Sequence, residues 1–367
     1  MAYYPRSSSN NKNNSIRICV EILVISCLAL VFTCFCRTKS FEVFGNNFII
    51  AQSENINEGR NLREARQFVV FGDSYSDSGG NYGYISLFQD ETNVIPHIPF
   101  NQYKGNRFTN GRTYMEYVAS SAYAKLTNYA ASYAQVLHSM VVTDRNTCKE
   151  VTVPSLQEQW FSYLNSSNFD TSNLHIIAIG ANDLGYIAEA YAEGTMGLWS
   201  AFSHAKRVTE VILDQATNME SHGISKKNIV LVTFPAAWLI PYFIELGIVD
   251  DVEIAFMMEI ILFIQKGLFK RSGFYYWDLA ATMSELVDED KALHKIVDIA
   301  CFPYNSDGPA LNGCPNYNST VINELFGKGC NPDTVEEFTF FDTFHPTNAS
   351  HYKLHEAFYG YLDDNVL

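Results

Sequence analysis

A serine hydroxyl attacks a carbonyl effectively only when a neighbouring base takes its proton and a carboxylate holds that base in the right tautomer. Residues suited to such a relay stand at three separated points of this chain. FGDSYSDSGGN (71–81) places Ser74 two residues past the glycine that ends the apolar run QFVVFG (67–72). GANDLGY (180–186) follows a second apolar run and sets Asn182 where a side-chain amide can donate to a developing oxyanion. FFDTFHPTNASHY (340–352) sets Asp342 three residues before His345. At that spacing a turn lets the carboxylate reach one imidazole nitrogen while the other faces a hydroxyl. Other chemistries fit less well. A calcium loop starting at Asp73 would want acids or amides at alternate places and glycine at the sixth, but Tyr75 and Ser78 occupy the third and sixth. No G-x-G-x-x-G fingerprint is present. Taken alone, 71–81 reads equally well as a polar turn.

The elements around these residues explain how they could meet. QFVVFG (67–72), LHIIAIG (174–180), NIVLVTF (228–234) and GFYYWDL (273–279) read as buried strands, with LTNYAA (126–131) as a shorter and more polar fifth. Helical spacing marks 112–125, 153–164 (with Pro154 in its first turn), 204–222, the very apolar 249–269, and 350–362. Strands alternating with helices predict an α/β fold, a parallel sheet with helices on both faces. Ligands bind such sheets at the carboxyl ends of the strands. Ser74, Asn182 and the segment from Ser132 all fall there.

The order G-D-S, N-Y-A, G-x-N-D, D-x-x-H-P-T resembles the GDSL-type, or SGNH, hydrolases, close to their fungal and plant lipase/esterase branch. The resemblance runs from about Gln67 to the C-terminus, and KGNRFTNGRTYMEYVA (104–119) and TFPAAWLIPYF (233–243) share in it. It implies a single-domain, flavodoxin-like SGNH hydrolase fold over 67–367 and a carboxylic ester hydrolase. Ser74 would be the nucleophile, His345 the general base and Asp342 its orienting partner. The Ser74 and Tyr133 backbone N–H groups and the Asn182 side chain would form the oxyanion hole. No metal or cofactor is implied. The substrate would be a small-molecule, lipid or polysaccharide ester, and a carbohydrate acetyl esterase of the same fold is an alternative. One block departs from the family pattern. NYAASYA (128–134) carries Ser132 and Tyr133 where the family has two glycines. Because tyrosine resists the backbone angles glycine adopts freely, a second alternative is a catalytically degenerate lipid- or carbohydrate-binding member.

Neighbouring polar residues read as structural. Asp73 and Asp183 suit turn-holding side-chain-to-backbone bonds. His97, His138, His175, His204, His222, His294, His351 and His355 suit surface or core positions. His351 and His355 stand four apart, but no H-E-x-x-H accompanies them. The 249–269 helix reads as core before lid.

Composition sets outer bounds. A net charge of −15 over 367 residues makes a nucleic-acid backbone an unsuitable partner. Residues 18–36 form an apolar run broken only by Glu21 and flanked by Arg17 and Arg37, so 1–40 reads as a cleaved signal peptide or a signal anchor. Residues 41–66 read as a polar linker. Either leader sends the hydrolase region outside the cytosol, secreted or membrane-anchored through 18–36. Cys148, Cys301, Cys314 and Cys330 suit an oxidising compartment, with a local bridge expected within 301–330. Sequons at Asn165, Asn318 and Asn348 agree with that route.

Overall fold

Five parallel strands stack in the order β2-β1-β5-β6-β7, with β1 at Gln67–Gly72, β2 at Lys125–Asn128, β5 at Leu174–Ala178, β6 at Ile229–Val232 and β7 at Tyr275–Trp277. Strands β3 (Met140–Thr143) and β4 (Glu150–Val153) pair antiparallel in a separate ribbon. The computed structural model describes residues 67–79, 107–143, 150–245, 247, 252–301, 330–331 and 333–366. All of these lie within the unit Glu58–Leu367. The expectations for 1–66, Cys148, Cys314 and Asn318 fall outside them. Taken in chain order, the sheet strands run 2-1-3-4-5, the flavodoxin-like doubly wound order.

Register shows that the sheet is covered on both sides. Phe71, Ile177, Leu231 and Tyr276 align across four strands and so share one face. On it, Phe71 meets the rings of Trp160 and Tyr163 in α2 (Leu156–Leu164), and Tyr276 meets Phe269 of a long helix at Val252–Ser272. Trp277 lies one residue on and points the opposite way. It stacks on Phe358 at 4.5 Å and approaches Tyr114 at 5.7 Å. Those two rings belong to α1 (Tyr114–Ser121) and to the closing helix at Asn348–Asn365. With both faces dry, β1 is apolar and buried at every position after Gln67. That is why it reads as a continuous hydrophobic run and not as an alternating one.

The predicted elements recur with shifted ends. Asn182 opens α3 (Ala181–Ala192), and α4 (Leu198–Ser221) begins six residues earlier than the 204 expected. The first helix ends at Ser121, not 125, because Lys125 already pairs with Gln67. Strand 126–131 is formally Lys125–Asn128, yet Tyr129 N–H still donates to Val70 O and Ala131 N–H to Gly72 O. Pro154 precedes α2 and is not in its first turn. Ser155 is the cap, and Ser155 and Glu158 form a reciprocal capping box. Helices α5 (Pro241–Glu245), α6 (Val252–Ser272), α7 (Leu279–Ala292) and α8 (Asn348–Asn365) complete the set among the described residues. The α6 helix is mainly core, with Met257, Ile261 and Phe269 buried, although Phe263 is exposed. Among the described residues no helix is long and apolar enough to cross a membrane.

Candidate active site

Strand β1 delivers Ser74 by ending abruptly. Gly72 lies against β5 so closely that a Cβ there would come within 2.6 Å of the Ala178 carbonyl oxygen. The buried Gln159 amide of α2 binds both backbone groups of Gly72, accepting from its N–H at 2.8 Å and donating to its carbonyl at 2.9 Å. The chain then turns. Asp73 accepts from Tyr75 N–H at 3.2 Å and from Gly180 and Ala181 N–H at 3.1 Å each. The tip of β1 is thereby sewn to the N-terminus of α3. Gly180 takes φ +124, and a side chain there would run into the Phe234 ring. Burial raises the Asp73 carboxyl above its ordinary range, against the pull of those three N–H donors. Its role is the turn-holding one expected for it.

At this edge the distant segments meet. Ser74 Oγ lies 2.7 Å from His345 Nε2, and His345 Nδ1 lies 2.7 and 2.8 Å from the two Asp342 oxygens. Asp342 Oδ1 also accepts from the Phe344 and His345 backbone N–H groups at 2.8 and 2.7 Å, which fixes the D-x-x-H turn around its own carboxylate. Tyr75 spans the two halves. Its hydroxyl donates to Phe344 O at 2.6 Å, tying the turn that carries Ser74 to the one that carries His345. Ser74 and His345 are each 8% exposed, so the relay lies mostly out of water but can still be reached.

The third segment borders the same point. Tyr133 has φ +67, the left-handed conformation that glycine would adopt there. The tyrosine keeps the backbone path at a cost of roughly 1–2 kcal/mol. Ser132 helps to impose it: its N–H and hydroxyl both donate to Asp77 Oδ2, at 3.0 and 2.8 Å. Burial lifts the Asp77 carboxyl to about 6 despite these bonds and the Gly79 N–H at 2.9 Å. Asn182 Nδ2 donates to Ala134 O at 2.9 Å. That bond uses one amide hydrogen and orients the other. The Ser74 N–H donates to none of the described residues. Asp183 accepts from Val136 N–H at 3.0 Å, again as a loop holder, and burial pushes it up to about 7.

Gln159, Tyr75, Asp77 and Phe108 escaped the sequence reading. Asp77, three residues after Ser74, was the one with a visible spacing signal, and Gln159 had none. His351 and His355 have structural partners: Tyr114 N–H donates to His351 Nδ1 at 3.3 Å, and His355 Nε2 pairs with Ser121 Oγ at 2.8 Å. His175 is buried, with Nε2 3.2 Å from the Tyr163 hydroxyl. Among the described residues no cluster of ligating side chains could hold a metal. Cys301 and Cys330 form a disulfide, the local bridge expected. Asn165 is exposed at the end of α2. Asn348 is half-buried, and its side-chain oxygen accepts from Arg112 N–H and the Tyr117 hydroxyl.

Several solved structures are similar to this chain. An acetyl xylan esterase (AlAXEase) shares 11% identity with a TM-score of 0.40, covering 80% of this chain and 98% of that one. An acetyl-xylooligosaccharide esterase from Geobacillus Stearmophilus shares 12% at 0.37, covering 83% and 96%. Phospholipase A1 from Streptomyces albidoflavus NA297 shares 13% at 0.38, covering 82% and 99%. No curated protein matches the sequence. A family model described as GDSL-like Lipase/Acylhydrolase matches residues 68–358, nearly the whole sheet and all the segments that meet at Ser74, and the chain belongs to that family of carboxylic ester hydrolases.

Proposed function

We propose that Ser74, His345 and Asp342 carry out this ester hydrolysis. The observation behind the assignment is the unbroken hydrogen-bonded line from Ser74 Oγ through the imidazole to Asp342. Ser74 Oγ bonds to the ester carbonyl carbon while His345 Nε2 takes its proton. The imidazolium is held by Asp342, and it returns that proton to the leaving alcohol oxygen as the ester C–O bond breaks. Water repeats the sequence and frees the acid. The Ser74 and Tyr133 N–H groups and the Asn182 amide receive the oxyanion, and each such donor is worth roughly 3–4 kcal/mol. The left-handed Tyr133 backbone supports this role, since it keeps the glycine-like path that the degenerate reading assumed lost. With p-nitrophenyl acetate, the Ser74→Ala variant should lose at least a thousandfold in kcat/KM. Equal rates for the variant and the wild type would refute the assignment.

The order of the four sequence blocks supports a place near the fungal and plant branch. The Cys301–Cys330 bridge supports a hydrolase region that matures in an oxidising compartment, secreted or anchored through residues 18–36.

A further inference from the structure

Three segments must hold station for the chemistry: the nucleophile turn, the α3 helix with Asn182, and the base turn 342–345. Asp73 joins the nucleophile turn to the start of α3 through the Gly180 and Ala181 N–H groups. Tyr75 joins the nucleophile turn to the base turn through Phe344 O. By themselves these two joints leave α3 and the base turn as arms pivoting on one point. A third joint closes the triangle. Glu189 stands seven residues after Asn182, two turns along the same face of α3. Its Oε1 accepts from the Tyr242 hydroxyl at 2.5 Å. Tyr242 belongs to α5 and is bound to the base turn in two ways. Its N–H donates to Thr343 O at 2.9 Å, and its ring stacks on Phe344 with centroids 4.2 Å apart at 29°. Thr343 and Phe344 are the two residues between Asp342 and His345.

The third joint matters because of what the two arms carry. On the mechanism above, Asn182 donates to the oxyanion and His345 gives its proton to the leaving oxygen. Both oxygens are bonded to one carbon, so the two donors must keep a fixed separation while the tetrahedral intermediate forms and collapses. The planar ester in the ground state makes less demand on that separation. We propose that Glu189 and Tyr242 are positioning residues, whose bond sets the spacing between Asn182 and His345 without either side chain touching substrate. The inference rests on the assignment of Ser74, His345 and Asp342 and adds two residues that act through them and through Asn182. A misplacement of about 1 Å in such a site costs on the order of a hundredfold. The loss should therefore fall on kcat and leave KM nearly unchanged.

Four variants of the full-length protein test this with p-nitrophenyl acetate. Tyr242→Phe keeps the ring on Phe344 and the N–H on Thr343 and removes only the hydroxyl. Glu189→Ala removes the acceptor, whereas Glu189→Gln retains an oxygen in its place. Tyr242→Phe and Glu189→Ala should each lower kcat by about 10- to 100-fold, with KM within about twofold of wild type. Glu189→Gln should stay within about threefold, and the Tyr242→Phe/Glu189→Ala double variant should be no slower than its slower parent, because both single changes break the same bond. A tie that serves only the fold would lower the unfolding temperature and leave kcat intact wherever the variant is folded. A loss of less than about fivefold in either folded variant overturns the proposal. So does a loss confined to KM, a Glu189→Gln variant as slow as Glu189→Ala, or losses that multiply in the double variant. If neither Tyr242→Phe nor Glu189→Ala folds, the bond is a determinant of the fold and the proposal fails as well. In each of these cases the hydrolase assignment stands if Ser74→Ala is inactive. A Ser74→Ala variant as fast as wild type overturns both.

Discussion

At the scale of single residues, Asp342 shows how much one oxygen can decide. Its Oδ1 is already committed to the Phe344 and His345 N–H groups. In Asp342→Asn the amide oxygen must therefore stay at that position, which puts the NH2 group opposite His345 Nδ1. The imidazole would then accept at Nδ1 and carry its hydrogen on Nε2, where it cannot take a proton from Ser74. We expect kcat to fall by about 10³–10⁴ with little change in KM or fold, because triad carboxylates act through the tautomer. Steady-state kinetics with a circular dichroism control checks this. A loss of tenfold or less would mean that Asp342 does not set the tautomer. Tyr133 is the complementary case at this scale: a side chain changed and a backbone conformation kept.

At the scale of elements, the D-x-x-H segment needs outside support because it precedes α8 as a loop. Thr339 N–H donates to Ile296 O at 2.9 Å and Thr347 caps α8 through Ser350 N–H. Beneath it a small second core gathers Val335, Phe338 and Phe341 around Cys301 and Cys330. The disulfide joins residues 29 apart in sequence. Closing a loop of that size stabilises by about 3–4 kcal/mol through the unfolded chain. The Cys301→Ala/Cys330→Ala double variant should lose about 2–4 kcal/mol in urea unfolding. Its esterase activity should fall at a lower temperature than the wild type's, since the segment it frees carries Asp342 and His345. An unchanged unfolding midpoint would remove the bridge from this role.

At the scale of the whole molecule, buried ionisable groups couple the fold to pH. Asp183 is buried, and burial lifts it from 3.8 to about 7, with the Asp73 charge adding to the rise and the Val136 N–H opposing it. A folded-state value above the unfolded one means that the native protein holds the extra proton across this window. The associated stability is full below about 4 and is lost as pH rises through about 7. His351 and His175, pushed down to about 3 and about 4 chiefly by burial, act in the opposite sense and cost stability as pH falls below about 6.5. Asp183→Asn keeps an acceptor for Val136 and removes one titration. Relative to wild type it should gain about 2–3 kcal/mol in unfolding free energy between pH 5 and pH 8, at about 1.4 kcal/mol per unit. Parallel stability curves would show that Asp183 is not the coupled group.

What the sequence determined by itself was what short-range pattern encodes. Unbroken apolar runs ending in glycine marked strands buried on both faces, and their alternation with helices implied the parallel sheet. The strand-edge rule then put Ser74, Asn182 and the third block on one rim. The D-x-x-H spacing was legible because three residues are enough to close a carboxylate onto an imidazole. Tertiary structure alone decided the rest, because those contacts join residues far apart in the chain. Gln159 grips the tip of β1 from a helix, and Tyr75 fastens the nucleophile turn to the base turn across 269 positions. Tyr133 holds a glycine-like φ because Ser132 is anchored on Asp77, a bond across 55 positions that local propensity cannot report. Phe108 reaches His345 only after the chain has folded back on itself, so the chemistry could be read along the chain while the contacts that surround it could not.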